Sequence, residues 1–368
     1  MVQHSLYEPE LFLLTHYEHP FRRPRTMEHD LQSQKRVIRM LKERDRVRRI
    51  SSVLATAFLQ FRQATWHTHV QNVEVLGDFL YITNDSRAVH RYNGWWAVFP
   101  DSVAIIKDQK TKDALLTTLA CYDTAHMSKL AEQLFKGMDM ILEEVVLRPK
   151  SIIRRSIIHY DDKRIDFNDY DFWVVRVTSR TTGQQWAIHI AGAQYYMDKP
   201  FSLWHDFTEQ WVHKILAVRP FGTLERYAKA KAQTKGTVGL EADMQIQAMQ
   251  AWHEAVDPAM ARKSLTWQAV LGKNEPDFRR HSAKILRAGM AAVEAFTRDA
   301  KLTKRRLKAE RYEKRHGDWA EECVRIAEDV MEYKPLLTTR FAKGYTWLLS
   351  GHEPPNVDRV DVSRLKEA

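Results

Sequence analysis

The chain has very little cysteine. Its 368 residues include only Cys121 and Cys323, and two thiols roughly 200 positions apart form neither a disulfide framework nor a CxxC metal site. The stretch MVQHSLYEPELFLLTHYEHPFRRPR has no basic lead followed by a long apolar core, so it is not typical of a secretory signal. We therefore expect free thiols in a reducing compartment, the cytoplasm or the nucleus.

Glycine is also scarce, with 13 in the whole chain. No dinucleotide-binding GxGxxG, Walker A, GxSxG, HExxH or protein-kinase motif occurs in the sequence. Loops that hold phosphate groups need several glycines close together, because only glycine lets the backbone approach so closely. These absences argue against a nucleotide-dependent enzyme, and the sequence predicts no cofactor.

Long apolar runs are missing. No run approaches the ~18 residues that a membrane-spanning helix needs, so we expect no membrane span. The composition is 44% hydrophobic, 11% aromatic and 28% charged, which is typical of a soluble globular protein and not of a disordered chain.

Positive charge is plentiful, with a formal net charge of +10 at pH 7. It is concentrated in two helical runs, 35–49 and 301–316. Acidic residues interrupt both runs and can form i,i+4 pairs, which is typical of solvated helix faces; they are Glu43, Asp45, Glu310 and Glu313. The alternative is contact with phosphates, and since no helix-turn-helix, zinc-finger or RRM signature is present, such nucleic-acid binding would be nonspecific.

The patterns divide the chain into an irregular arm (1–28), a helix (29–64), a mixed α+β core (65–220), a helical region (221–350) and a loose tail (351–368). Inside the core, residues 109–147 are predicted as two helices broken near Tyr122–Thr124, and the segment 199–216 is predicted to begin a helix after Pro200. The predicted fold class is α+β, with an antiparallel sheet and packed helices followed by a mainly helical carboxyl-terminal region.

The most patterned stretch is DFWVVRVTSRTTGQQWAIHIAGAQYYMDKPF, residues 171–201. It predicts a β-hairpin whose strands are joined by the turn sequence TTGQ. The second strand places Trp186, Ile188 and Ile190 on one face and His189 on the other. A histidine beside a strand that starts with Asp171 could hold a tuned imidazole, although most strand histidines only pack.

This stretch, with the cysteine-bearing helix before it, resembles a known enzyme core. A helix carrying a cysteine, then a hairpin of the form His-x-Trp-Val and Trp-x-x-Asp-x-Thr-Gly-x-Gln, is found in papain-like and transglutaminase-like cysteine hydrolases. Uncharacterised intracellular fungal proteins carry a similar W-x-x-D-x-x-G-A-Q strand. The corresponding stretch here is QQWAIHIAGAQYY, and the resemblance covers about 100 residues from Leu115 to Phe201.

The resemblance implies three candidate catalytic residues: Cys121 as nucleophile, His189 as base and Asp171 as the residue that orients the base. The chain departs from the family at two of them, because Asp171 stands where the family has its histidine and His189 where it has its aspartate. Cys121 also ends one predicted helix and does not start the next, where a helix dipole would favour a thiolate. These departures favour a degenerate, non-catalytic version of the core.

His67 and His69 lie two residues apart, a spacing at which two histidines can share a metal ion. A third ligand would be needed, and Asp78, Asp85 and His90 are near only in sequence. Because the chain has 16 histidines, chance pairs are expected, and we predict no metal.

Three functions follow in order of preference. The first is an intracellular non-catalytic binding or scaffold protein with an unknown protein or small-molecule ligand. The second is a cysteine-dependent amide hydrolase or acyltransferase using Cys121, His189 and Asp171. The third is a charge-driven nucleic-acid binder that uses the two basic helices.

Overall fold

The computed structural model describes residues 27–66, 69–84, 109–150, 155–160, 165–166, 170–298 and 301–317, together with 96, 99, 168, 325–326 and 329–330. Most of the predicted arm, the whole tail 351–368 and Cys323 lie outside these residues. The described part is an α+β fold with antiparallel strands and packed helices, as the sequence predicts.

The first element is a long helix, α1 (Met27–Ala64), where the sequence predicts a helix over 29–64. It contains no glycine or proline, so nothing in its sequence interrupts the backbone ladder. Its second half buries Ile50, Leu54, Phe58 and Phe61, which share one face because they recur every three or four residues. This half packs into the main core, whereas residues 32–39 are exposed.

Two sheets follow, both within the described residues. The smaller contains β1 (Val70–Leu76), β2 (Phe79–Asn84), β4 (Arg155–Tyr160) and β5 (Ile165–Asp166) in that order, and its β2–β4 pairing is parallel. The larger is antiparallel throughout and runs β8-β7-β6-β3-β9. Its strands are β3 (Met140–Pro149), β6 (Phe172–Ser179), β7 (Gln185–Ile188), β8 (Phe201–Leu203) and β9 (Val212–Pro220).

Helices occur between and after the strands: α2 (Gln109–Thr117), a 3-10 turn (Asp123–Met127), α3 (Ser128–Phe135) and α4 (Trp204–Trp211), then α5 (Thr223–Ala232), α6 (Thr237–Ala261), α7 (Trp267–Leu271), α8 (Glu275–Thr297) and α9 (Lys301–Glu313). The helical prediction for 109–147 is therefore wrong over 140–147, which belongs to β3, an interior strand of the larger sheet. Pairing with β6 and β9 gives the backbone of β3 hydrogen-bond partners on both sides. This pairing outweighs the sequence pattern of Glu and apolar residues, which also fits a helix.

Two helices receive their amino-terminal caps from distant carboxylates. Glu144 of β3 accepts hydrogen bonds from the backbone N–H groups of Gly222 (2.9 Å) and Leu224 (2.8 Å) at the start of α5. Glu313 of α9 accepts from the N–H and the hydroxyl of Thr237, both at 2.6 Å, at the start of α6. These bonds satisfy helix N–H groups that have no partner inside the helix.

A buried ion pair ties α1 to the segment that carries Cys121. Arg62 is 1% exposed, contacts the carboxylate of Asp123 and donates from Nε to the carbonyl of Leu116 at 3.0 Å. Its guanidinium also lies over the ring of Trp66, 5.7 Å from the ring centre. Because α1 is fixed in the main core, this contact fixes the turn between α2 and α3 as well.

Candidate functional site

Cys121 lies in the turn between α2 and the 3-10 turn, in the main core. Its side chain is buried, at 2% exposure. Its carbonyl accepts from the Thr124 hydroxyl at 2.9 Å, and the residue capping the 3-10 turn is Tyr122. The sulfur therefore does not belong to the first turn of α3, where a helix dipole would stabilise a thiolate.

A neutral polar network surrounds the sulfur. Gln194 donates from Nε2 to Cys121 Sγ at 3.2 Å and to the carbonyl of Ala191 at 2.9 Å. Its Oε1 accepts from Asn168 Nδ2 at 2.8 Å. The Tyr195 hydroxyl lies 3.9 Å from Sγ. The amide and the phenol close the space around the thiol and supply no positive charge to it.

The pKa of the Cys121 thiol is raised to about 12, and burial is the main cause. Hydrogen bonds from Gln194 and Tyr195 lower this pKa, and the negative charges of Asp123 and Asp171 raise it by smaller amounts. A thiol with such a pKa is protonated at neutral pH. Because the thiolate is the nucleophile, both the burial and the raised pKa oppose nucleophilic attack by this sulfur.

His189 follows β7 directly and is 3% exposed. Its Nε2 lies 3.3 Å from the Ser202 hydroxyl, and its ring stacks on Phe207 with centres 5.1 Å apart. A Cβ on Gly192 would come within 2.6 Å of His189 Nδ1, so glycine is required beside this ring. Burial lowers the pKa of His189 to about 4, which keeps the imidazole neutral near pH 7.

Asp171 precedes β6 and is 4% exposed. Its negative charge raises the pKa of Cys121. The pKa of His189, in contrast, is shifted by burial and by a backbone hydrogen bond. Between the described residues no hydrogen bond joins Cys121 to His189. All three candidates are buried, but the Cys121 thiol and the His189 imidazole are not hydrogen-bonded to each other, as a nucleophile and its base would be.

The sequence reasoning missed Gln194 and Asn168, the two amides of this network. Gln194 is fully buried, and Asn168 has a left-handed backbone with φ of 51°. The available signal for Gln194 was its place in GAQYY, the stretch that carries the resemblance. No comparable pattern marks Asn168, because its partner Gln194 is 26 residues away.

A cavity of about 40 Å³ lies elsewhere, between α1, α3 and the larger sheet, and Leu54, Glu144, Trp173 and Ile188 line it. This volume is far below the ~300 Å³ or more of typical ligand pockets. Burial raises the pKa of Glu144 to about 7, even though hydrogen bonds from the backbone of Leu224 and Gly222 favour its charged form. Since both its oxygens already cap α5, we interpret Glu144 as structural.

Neither a cluster of metal-ligating side chains nor a membrane-spanning helix is found among the described residues. No group of three or more His, Cys, Asp or Glu side chains there could hold a metal ion. His67, Asp85 and His90, three of the residues weighed as metal ligands, lie outside the described residues. In the same part of the chain, no helix is both long and apolar enough to cross a bilayer.

Comparison with known proteins gives no relative. No family model matches the chain, and neither a curated protein nor a solved structure matches it. The resemblance to cysteine hydrolases therefore stays a prediction from the residues alone.

Proposed function

We propose that this protein is a non-catalytic binding or scaffold protein. The observation that carries the proposal is the surroundings of the Cys121 sulfur: it is buried, and it accepts a hydrogen bond from Gln194, a neutral amide. This burial raises the pKa of the thiol to about 12. A cysteine hydrolase needs the opposite, an accessible thiolate stabilised by a nearby imidazolium.

The surroundings of His189 support the same proposal. Its imidazole is engaged with Ser202 and stacked on Phe207, and its lowered pKa opposes the imidazolium form. The negative charge of Asp171 raises the pKa of the thiol, so it opposes thiolate formation. The thiol, the imidazole and the carboxylate thus all oppose the thiolate–imidazolium pair that catalysis would need.

Thiol alkylation tests the proposal. In a Cys323→Ala background, so that Cys121 is the only thiol, we expect iodoacetamide to leave the folded protein unlabelled from pH 6 to 9. The unfolded protein in denaturant should react with an ordinary thiol pKa of ~8.5. A Cys121→Ser, Cys323→Ala double variant is the blank for labelling at other residues.

Rapid labelling of the folded protein at pH 7 would overturn the proposal, because only an exposed low-pKa thiolate reacts in that way. Loss of that labelling in a His189→Gln variant would go further. It would identify a thiolate–imidazolium pair and favour the amide hydrolase or acyltransferase.

A further inference from the structure

The first half of α1 lies on the surface of the protein. From Val47 onward the helix is buried at Ile50, Leu54 and Phe58 in the main core. Before Val47, residues 32–39 are exposed, and most of residues 41–46 are exposed as well. About four turns of this helix are therefore largely exposed to solvent.

Three apolar side chains in this half face water: Val37, Ile38 and Leu41 are 54%, 52% and 57% exposed. At positions i, i+1 and i+4 they lie within about 100° of one another around the helix. Single exposed apolar residues are ordinary, but three adjacent ones form a patch that favours a binding surface.

The opposite side of the helix is held by the turn of the β6–β7 hairpin. Arg36 donates to the carbonyl of Thr182 at 3.3 Å, and the Thr182 hydroxyl donates to Glu43 at 2.9 Å. Arg36 and Glu43 are two turns apart on one side, so these contacts set the rotation of the helix. They direct Val37, Ile38 and Leu41 away from the protein.

Cations flank the apolar patch on both sides. Lys35 and Lys42 lie on one side of it and Arg44 on the other. All three are exposed, and none has an ion pair with a described residue. We name Lys35, Val37, Ile38, Leu41, Lys42 and Arg44 the basic–apolar face.

We propose that the basic–apolar face binds the surface of an anionic lipid membrane. The apolar side chains would enter the boundary between headgroups and acyl chains, and the cations would reach the lipid phosphates. This inference rests on the proposed binding function, because it names the partner of a non-catalytic protein.

Other anionic partners fit this face less well. A nucleic acid would attract the cations but would leave the three apolar side chains in water. A partner helix would need a seam continued over several heptads, and here the positions that follow Leu41 on its face are Arg44 and Asp45. A convex helix that carries apolar residues between cations matches a flat, charged bilayer.

The test is co-sedimentation of the full chain with large vesicles at 0.1 M salt. We expect binding to phosphatidylcholine vesicles that contain 30% phosphatidylserine, and little binding to pure phosphatidylcholine. The triple variant Val37→Ser, Ile38→Ser, Leu41→Ser should weaken binding at least tenfold, because it removes the buried apolar groups. The triple variant Lys35→Gln, Lys42→Gln, Arg44→Gln should weaken it by roughly fivefold per charge.

Helix α9 supplies a matched control. Lys304, Lys308 and Arg311 form an exposed cationic stripe on it, with no ion pair to a described residue. The variant Lys304→Gln, Lys308→Gln, Arg311→Gln removes the same charge without touching α1, and binding should stay within about twofold. All substituted side chains are exposed, so circular dichroism should show unchanged folding.

Three outcomes would overturn the proposal. The first is equal binding to both vesicle types, or to neither. The second is equal loss from the α1 and α9 charge variants, which would indicate nonspecific adsorption of a cationic protein. The third is duplex DNA binding that needs Lys35, Lys42 and Arg44 without vesicle binding. None of these results alters the thiol-labelling test, so the two proposals can fail independently.

Discussion

At the scale of single residues, His189 shows how burial controls charge. Its imidazole lies against Phe207 and Gly192 in the main core, with a pKa of about 4 because the charged form loses its water. In the unfolded chain the same group titrates near ~6.5. Between these values the unfolded chain binds a proton that the folded protein does not.

The sign of the pH dependence follows from this difference. The stability associated with neutral His189 is complete above about pH 6.5 and is lost as the pH falls toward 4. We expect a His189→Gln variant to lose less free energy of unfolding than the wild type between pH 7 and 4.5, by about 2 to 3 kcal/mol. Urea titrations at several pH values measure this difference.

The control is His205→Gln. Because the His205 side chain is 86% exposed, this substitution should leave the plot of unfolding free energy against pH unchanged. Parallel curves for wild type and His189→Gln would contradict the assignment of a depressed pKa to His189. The comparison depends on the slope, so a constant loss from altered packing does not affect it.

The sequence pointed to three polar residues that are buried in the structure, but it did not indicate their hydrogen-bond partners. Residue types and the hairpin pattern identified Cys121, His189 and Asp171 as candidates. The partner of the thiol is Gln194, however, and the hydroxyl beside the imidazole belongs to Ser202. Such pairings depend on side-chain directions at ångström scale, which strand periodicity does not supply.

At the scale of elements, α6 and α8 come into close contact at Gly289. A Cβ placed on Gly289 would lie 2.0 Å from Trp252 Nε1 and 2.3 Å from its Cδ1. Trp252 is 1% exposed and cannot swing into solvent. Glycine at this position therefore sets the distance between the two helices.

We predict that Gly289→Ala lowers the free energy of unfolding by about 3 kcal/mol, because the added methyl group overpacks the interface. Alanine normally stabilises a helix interior relative to glycine, so helix propensity would change stability in the opposite direction. Urea unfolding followed by circular dichroism gives the measurement. Gly317→Ala serves as the control, since nothing lies within 4 Å of its Cβ position.

A double variant checks the cause. Trp252→Leu makes room for the methyl group, so adding Gly289→Ala to it should cost much less than Gly289→Ala costs alone. Additive losses would mean that contact with the indole is not the reason for the glycine.

The same scale shows where the sequence misleads. Residues of β3 and β9, such as Val145 and Ile215, stand in runs that also fit an amphipathic helix, and both runs were predicted as helical. Their strand state comes from pairing, with Val145 opposite Val174 on one side and Val218 on the other. The hairpin was predicted because its turn is local, with Gly183 at φ of 72°.

At the scale of the molecule, one core joins regions that the sequence divides at residue 220. The main cluster contains Trp186 of β7 as well as Trp252 of α6 and Val293 of α8, all buried, and α1 contributes Phe58. A smaller cluster around Trp66, Leu80 and Leu116 lies under the other sheet. The composition of the segments could not reveal that sheet and helices share one interior.

We therefore predict that the larger sheet and helices α6 and α8 unfold together. Hydrogen exchange followed by mass spectrometry should give peptides from 172–188 and from 244–256 the same opening free energy in their slowest amides. Gly289→Ala should lower both values equally. If it lowered only the value for 244–256, the helical region would be an independent unit.

The remote caps of α5 and α6 bear on the order of folding. Glu144 reaches the start of α5 across 78 to 80 positions in the chain, and Glu313 reaches Thr237 across 76. Neither helix has a side-chain cap at its own N-cap residue, Gly222 or Gly236. As isolated peptides both should be mostly coil, so their nucleation waits for long-range docking, which makes assembly slower than helix content alone suggests.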